Sequence, residues 1–232
     1  ERLLKSRIEG LFCCNINPAS EADEFFKLAT ERYGVALASN NCSFSFPHAR
    51  IESDNSTAVM SLMEHLVGLG HRQIAHIGGD RSSGVSRERS EAFLRAVEHF
   101  NLKLDECPVR FSDWELDQAR TTAWQLLEFS KPPTAILCVN DTIAACVLQV
   151  ANELNLKVPS ELSVVGITNE HMSQLTVPSL TTVAIPCEEI GHTGMLALID
   201  LIESKREIAT QEITRYPCTP IFRDSSAAAR SL

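Results

Sequence analysis

The stretch PTAILCVNDTIAACVLQVANELNLKVPSELSVVGITN, residues 133–169, decides the fold class. TAILCV (134–139) is an apolar run of strand length, 141–154 is a helical segment opened by Asn140 and Asp141, and LSVVGI (162–167) is a second strand. Strand, helix, strand at this spacing is the unit of a parallel sheet, because parallel neighbours need a crossover and a helix supplies it. The apolar character of 162–167 along its whole length predicts a central strand.

The alternation continues outward. Towards the amino terminus lie the strands PVRF (108–111) and QIAHI (73–77), with helices at 115–129 and from about Ser86, the latter carrying Phe93, Ala96, Val97 and Phe100. Before them, Val59, Leu62, Met63, Leu66 and Leu69 place a helix at 57–69, capped by Asn55 or Ser56 and stopped at Gly70. The strands IEGLFCCNI (8–16) and GVALAS (34–39) flank a helix at 20–32. Towards the carboxyl terminus a strand at 180–185, a helix at 187–203 and a short irregular tail follow. Strands and helices alternating in this way predict an α/β protein with parallel sheets and helices on both faces.

With 232 residues, 44% of them apolar, the chain can bury one large core or two modest ones. A formal net charge of −9 argues against phosphate backbone or anionic lipid as a direct partner of this segment, since both need a surplus of Lys and Arg. No apolar run approaches the roughly 20 residues of a membrane helix, and ERLLKSRIEG at the start lacks the apolar core of a secretory signal. The eight cysteines include no C-x-x-C pair and sit mostly in apolar runs, which points to buried thiols in a reducing, cytoplasmic compartment. The seven histidines form no H-E-x-x-H or Cys–His cluster, so the sequence calls for no metal and no cofactor.

Four strands end in polar or aromatic groups: GGDRSSG after 77, SDW after 111, ND after 139 and TN after 167. In open parallel sheets ligands sit outside the carboxyl ends of the strands, so these loops form a candidate binding rim. GGDRSSGVS (78–86) comes near to a nucleotide phosphate loop, but Val85 stands where the mechanism needs a Lys to reach the outer phosphates. Backbone N–H groups at a helix start are then all that it shares with such loops.

DNSTAVMSLMEHLVGLGHRQIAHIGG (54–79), SRERSEAFLRAV (86–97), the 133–169 stretch, PSLTTVAIP (178–186) and IFRDSSA (221–227) follow in order. Together they resemble the effector-binding core of the lactose-repressor and galactose-repressor family of bacterial transcription regulators. The resemblance implies two doubly wound, periplasmic-binding-protein-like subdomains of type I joined by three crossovers, with a small effector in the cleft. It implies a first subdomain of residues 1–71 and 186–212 and a second of 72–185 and 213–232. It also implies an N-terminal helix-turn-helix domain, then a strand, helix and strand opening the first subdomain; none of these is matched here, so operator DNA would be reached only through that absent module.

Arg89 lies four residues from Phe93, on the face of its helix that carries the apolar stripe, and is either a solvated Arg beside Arg87 or a ligand contact. Trp114 by itself reads as partly buried core. Of Asn140 and Asp141, the latter reads better as a helix cap. The resemblance implies effector contacts at Arg89, Trp114 and Asn140. Its usual Gly-aromatic-Asp appears as Gly166, Ile167, Thr168, and the Asp that often ends the strand at 34–39 appears as Ser39. Thr168, Ser39 and Asn15 complete the expected contacts, with Asn40, Asp54 and Asn169 as weaker candidates. Neutral hydroxyls hold sugar diols less tightly than carboxylates do. His71, at the expected crossover, reads as a hydrogen-bonded structural histidine.

These readings describe a sensor that does no chemistry. Its expected partners are a sugar, sugar acid or related metabolite, a second copy of the chain docked through 141–154 and 172–178, and no membrane. A periplasmic solute-binding protein would share the fold but would want a signal peptide and few free thiols. A hydrolase or kinase would need a G-x-S-x-G elbow, a complete phosphate loop or a His–carboxylate dyad, and the sequence has none of these.

Overall fold

A computed structural model describes residues 8–16, 20–42, 44–204, 208 and 212–230. In chain order the elements are β1 (Gly10–Cys14), α1 (Ser20–Tyr33), β2 (Ala36–Asn40), β3 (Ala49–Ser53), α2 (Asn55–Gly68), β4 (Ile74–Gly78), α3 (Gly84–His99), a 3-10 turn (Leu104–Glu106), β5 (Val109–Phe111) and α4 (Leu116–Leu127). They continue with β6 (Ala135–Cys138), α5 (Asp141–Glu153), β7 (Ser163–Val165), α6 (Met172–Leu175), β8 (Thr182–Ala184), α7 (Cys187–Ser204), β9 (Glu212–Tyr216) and β10 (Thr219–Ile221). The chain forms two compact units, residues 1–54 with 186–216 and residues 55–185 with 217–232, and passes between them three times. The α/β fold with three crossovers is thus borne out.

Two boundaries differ from expectation. The helix at 55–68 belongs to the second unit, because Ala58, Val59, Leu62, Met63 and Leu66 are buried in one core with Phe93 and Val97 of α3 and Ile74 of β4. Residues 212–216 belong to the first, since β9 runs parallel to β3 from Ala49↔Glu212 to Ser53↔Tyr216. His71 consequently lies inside the second unit instead of at a crossover. It is buried, bonding Thr134 Oγ1 (2.8 Å), Ser163 Oγ (3.0 Å) and the Ala227 carbonyl (3.0 Å), and so ties the starts of β6 and β7 to the tail.

The first unit is a parallel sheet in the order β1-β2-β3-β9. Cys13, Leu37, Cys42, Phe44 and Phe46 form a small core with Phe26 of α1, whose ring centroid lies 4.9 Å from that of Phe44. The second unit is a parallel sheet in the order β5-β4-β6-β7, with a β8–β10 antiparallel pair beside it. Alternation along its strands makes two cores. Ala75, Ile77, Ile136, Cys138 and Val164 face α4 and α5, whereas Ile74, Ala135, Leu137 and Val165 face α2 and α3. β7 is the last strand of the ladder, not a central one. It is apolar because both faces are covered and its far side is bridged by Val165↔Thr181 and by Val164 N donating to the Ser225 carbonyl.

Candidate functional site

Backbone strain marks where the second unit is under constraint. Of the eight non-glycine residues with positive φ among the described residues, four lie just past the carboxyl ends of β5 and β7: Asp113 (49°), Trp114 (63°), Thr168 (128°) and Asn169 (54°); the other four, Asn15, Asn41, Asn101 and Asn155, are all asparagines, which tolerate this region best. Such conformations persist only where surrounding contacts enforce them, and for a β-branched Thr the left-handed side is especially unfavourable.

At the tip of β4, the loop 79–83 spends its own donors. Asp80 Oδ1 accepts from Ser82 N (2.7 Å) and Ser82 Oγ (2.8 Å), Ser83 N donates to the Asp80 carbonyl, and Ser83 Oγ caps α3 by accepting from Ser86 N. These amides are turned to the loop itself, which differs from a phosphate cradle. Trp114 lies across Gly79: a Cβ there would come within 2.4–2.6 Å of three indole atoms, so only glycine lets the ring sit on the backbone. The ring is held by a turn in which Ser112 N and Oγ both donate to the Gly78 carbonyl (3.0 and 2.9 Å), and it remains 38% exposed.

β6 is the neighbour of β4, and its tip brings Arg89 and Asn140 together. Arg89, in the second turn of α3, is 3% exposed; Nε donates to Asn55 Oδ1 (2.7 Å) and Nη1 to the Val139 carbonyl (2.5 Å), one residue before Asn140. Burial pushes the guanidinium down to about 10, against the pull of Cys218, Glu88 and Asp141, and it stays cationic at neutral pH. Asn140, not Asp141, is the cap of α5: its Oδ1 accepts from Ile143 N (2.9 Å), which leaves the Nδ2 donors directed elsewhere. Asp141 is fully buried and accepts from Thr182 Oγ1 (2.5 Å) and Glu170 N (2.8 Å). Burial raises its pKa, with those two hydrogen bonds opposing. It therefore braces the next tip, where Thr168 N donates to the Val183 carbonyl and Thr168 Oγ1 to Glu170 (3.3 Å). Asn169 Oδ1 accepts from Arg223 Nη2 (2.7 Å).

The structure thus brings Arg89, Trp114, Asn140 and Thr168 to strand tips of one sheet. In the first unit, Asn15 follows β1 at φ 54°, is exposed and accepts from Asn41 Nδ2 (3.0 Å). Ser39 is fully buried, its Oγ bonded to His48 Nε2 (2.8 Å), so that side chain is engaged within its own unit. Asn55, which holds Arg89, was legible in the sequence only as a helix cap. Among the described residues Ser–His contacts occur at Ser39–His48, Ser90–His76, Ser163–His71 and Ser226–His65; the first three serines are buried, and Ser90 Oγ donates to the Ser86 carbonyl, so those three are not set up as a nucleophile and base. Among the described residues no cluster of His, Cys, Asp and Glu is arranged for a metal ion, and no helix is long and apolar enough to cross a membrane.

Comparison with known proteins agrees with this fold. The family model described as "Periplasmic binding protein-like domain" matches residues 63–226. The HTH-type transcriptional repressor CytR of Escherichia coli (strain K12) is 30% identical over 178 residues, 77% of this chain and 52% of that one. The HTH-type transcriptional repressor PurR of Yersinia enterocolitica is 36% identical over 143 residues, 62% and 42% of the two chains. The chain therefore spans about half the length, 52% and 42%, of these two relatives. The Lac repressor dimer bound to operator and an anti-inducer superposes with a TM-score of 0.85 at 25% identity, covering 98% of this chain and 77% of that one. A LacI family regulator from Enterococcus faecium with bound ribose has the same fold, with a TM-score of 0.87 at 21% identity over 99% and 83%. The chain belongs to the periplasmic binding protein-like domain family, and the curated relatives it matches are HTH-type transcriptional repressors.

Proposed function

We propose that the chain is the effector-sensing core of a repressor-type transcription regulator, binding a small metabolite at the strand tips and converting occupancy into a change in operator affinity. The observation that carries this is the grouping of a buried Arg89, a Trp114 ring seated on Gly79, the free face of Asn140 and the strained Thr168 at the tips of one parallel sheet. Arg89 and Asn140 supply donors, Trp114 an apolar wall, and Thr168 a hydroxyl; Asn15 and Ser39 are further contacts on the resemblance alone. Ligand that favours one conformation of such a core shifts its population, and DNA affinity follows by linkage. A second copy docks through 141–154 and 172–178, where Leu175 is 80% and Val177 94% exposed. The test is a thermal-shift screen of sugars, sugar acids, nucleosides and phosphorylated sugars. A stabilising compound whose effect is lost in both Arg89→Ala and Trp114→Ala supports the reading; a hit unaffected by either refutes the assigned site. Sedimentation showing only monomer at high concentration would refute the dimer.

A further inference from the structure

We propose that the effector carries an anionic group, a carboxylate or phosphate, that pairs with Arg89; this rests on Arg89 belonging to the effector site. A buried charge is costly unless a counter-charge and hydrogen bonds satisfy it. Arg89 has neither in full. Its two protein acceptors are neutral oxygens, Asn55 Oδ1 and the Val139 carbonyl, and among the described residues no carboxylate lies within 4.0 Å of its nitrogens. A guanidinium has five N–H donors, of which these bonds use two, so Nη2 and one hydrogen of Nη1 are without a partner among the described residues.

The neighbouring acids are engaged with other groups. Glu88, next in the chain, accepts from Asn55 Nδ2 (2.9 Å), so Asn55 stands between the carboxylate and the guanidinium. Asp141 uses both oxygens on Thr182 and Glu170, Glu170 accepts from Thr168 and Thr142, Asp80 accepts from Ser82, and Asp113 accepts from Gln118. At the last tip Thr168 offers only a neutral hydroxyl. A guanidinium with donors to spare on Nη1 and Nη2 can bind a carboxylate or phosphate through two parallel N–H···O bonds. The Asn55 contact at Nε fixes the plane of the fork.

Inorganic phosphate is the first probe, added at matched ionic strength against chloride while the melting temperature of the whole chain is followed. Phosphate should raise the wild-type value above the chloride value, and the gap should vanish in Arg89→Gln. Arg89→Lys, which keeps the charge but loses the planar fork, should show a reduced gap, and it carries the comparison if Arg89→Gln does not fold. No gap in the wild type, or an equal gap in both variants, overturns the proposal. Matched pairs follow by calorimetry: gluconate with glucose, galacturonate with galactose, ribose 5-phosphate with ribose. The charged member of a binding pair should bind about tenfold or more tighter, with that preference lost in Arg89→Gln. A neutral member that binds equally well, and still depends on Arg89 and Trp114, would leave the effector reading standing and remove the anionic one.

Discussion

Replacing Gly79 by Ala puts the seating of Trp114 to a quantitative test. The new Cβ would lie 2.4 Å from the nearest indole carbon where ordinary contact begins at 3.4 Å, so the ring must retreat by about 1 Å. Gly79 is outside the left-handed region, so alanine brings no backbone penalty. The overpacking costs about 1–3 kcal/mol, and the reduced freedom of the unfolded chain returns about 0.4–1 kcal/mol. The net loss in Gly79→Ala is therefore about 1 kcal/mol. In a Trp114→Ala background the obstacle is gone and the same substitution should be neutral or stabilising, which gives a coupling of about 1–2 kcal/mol. Urea unfolding of the four proteins, followed by circular dichroism, measures it. Affinity for any effector should fall in Gly79→Ala as well as in Trp114→Ala, because the wall has moved. Equal costs of Gly79→Ala in both backgrounds would refute the packing argument.

Three further outcomes follow. Asn140→Ala should cost about 1 kcal/mol through loss of the α5 cap, whereas Asn140→Asp keeps the cap, removes the Nδ2 donors and should leave stability near wild type while weakening the effector in calorimetry. Thr168→Gly should raise stability by about 1 kcal/mol by relieving φ 128°, and Thr168→Ala should not; thermal melts separate the two. His76 is fully buried and burial lowers its pKa from 6.5 to about 4, so the unfolded chain binds the extra proton and stability should be lost as pH falls from about 6.5 through 4, by up to about 3 kcal/mol. His76→Phe should flatten that acid limb in urea titrations, with His48, His65 and His71 contributing in the same direction.

The sheet of the second unit was legible because its strands are short apolar runs between amphipathic helices, a pattern that burial on both faces imposes on the composition. β3 was not, because ARIES carries Arg50 and Glu52, and nothing local announces that these two pair at 2.9 Å with Glu52 buried. β9 was missed for a related reason: EITRY is exposed along most of its length and gains its order from the β3 ladder, a partner more than 150 positions away. The unit boundary was misplaced because a helix with one apolar face can pack on either neighbour, and α2 is decided by long-range contacts with α3. At the site, Arg89 and Trp114 stood out through position and residue type. Asn140 and Asp141 were exchanged, since either residue caps a helix well and only the buried contacts of Asp141 with Thr182 and Glu170 break the tie.

Arg89 is gripped by Asn55, the residue that follows Asp54 across the first crossover, and Asp54 N in turn bonds the Tyr216 carbonyl beside the third. The side chain assigned to ligand sensing is therefore anchored at the doorway through which the chain enters its unit. Substitutions at positions 55 or 216 should therefore weaken any ligand that depends on Arg89, although neither is assigned a contact with the metabolite.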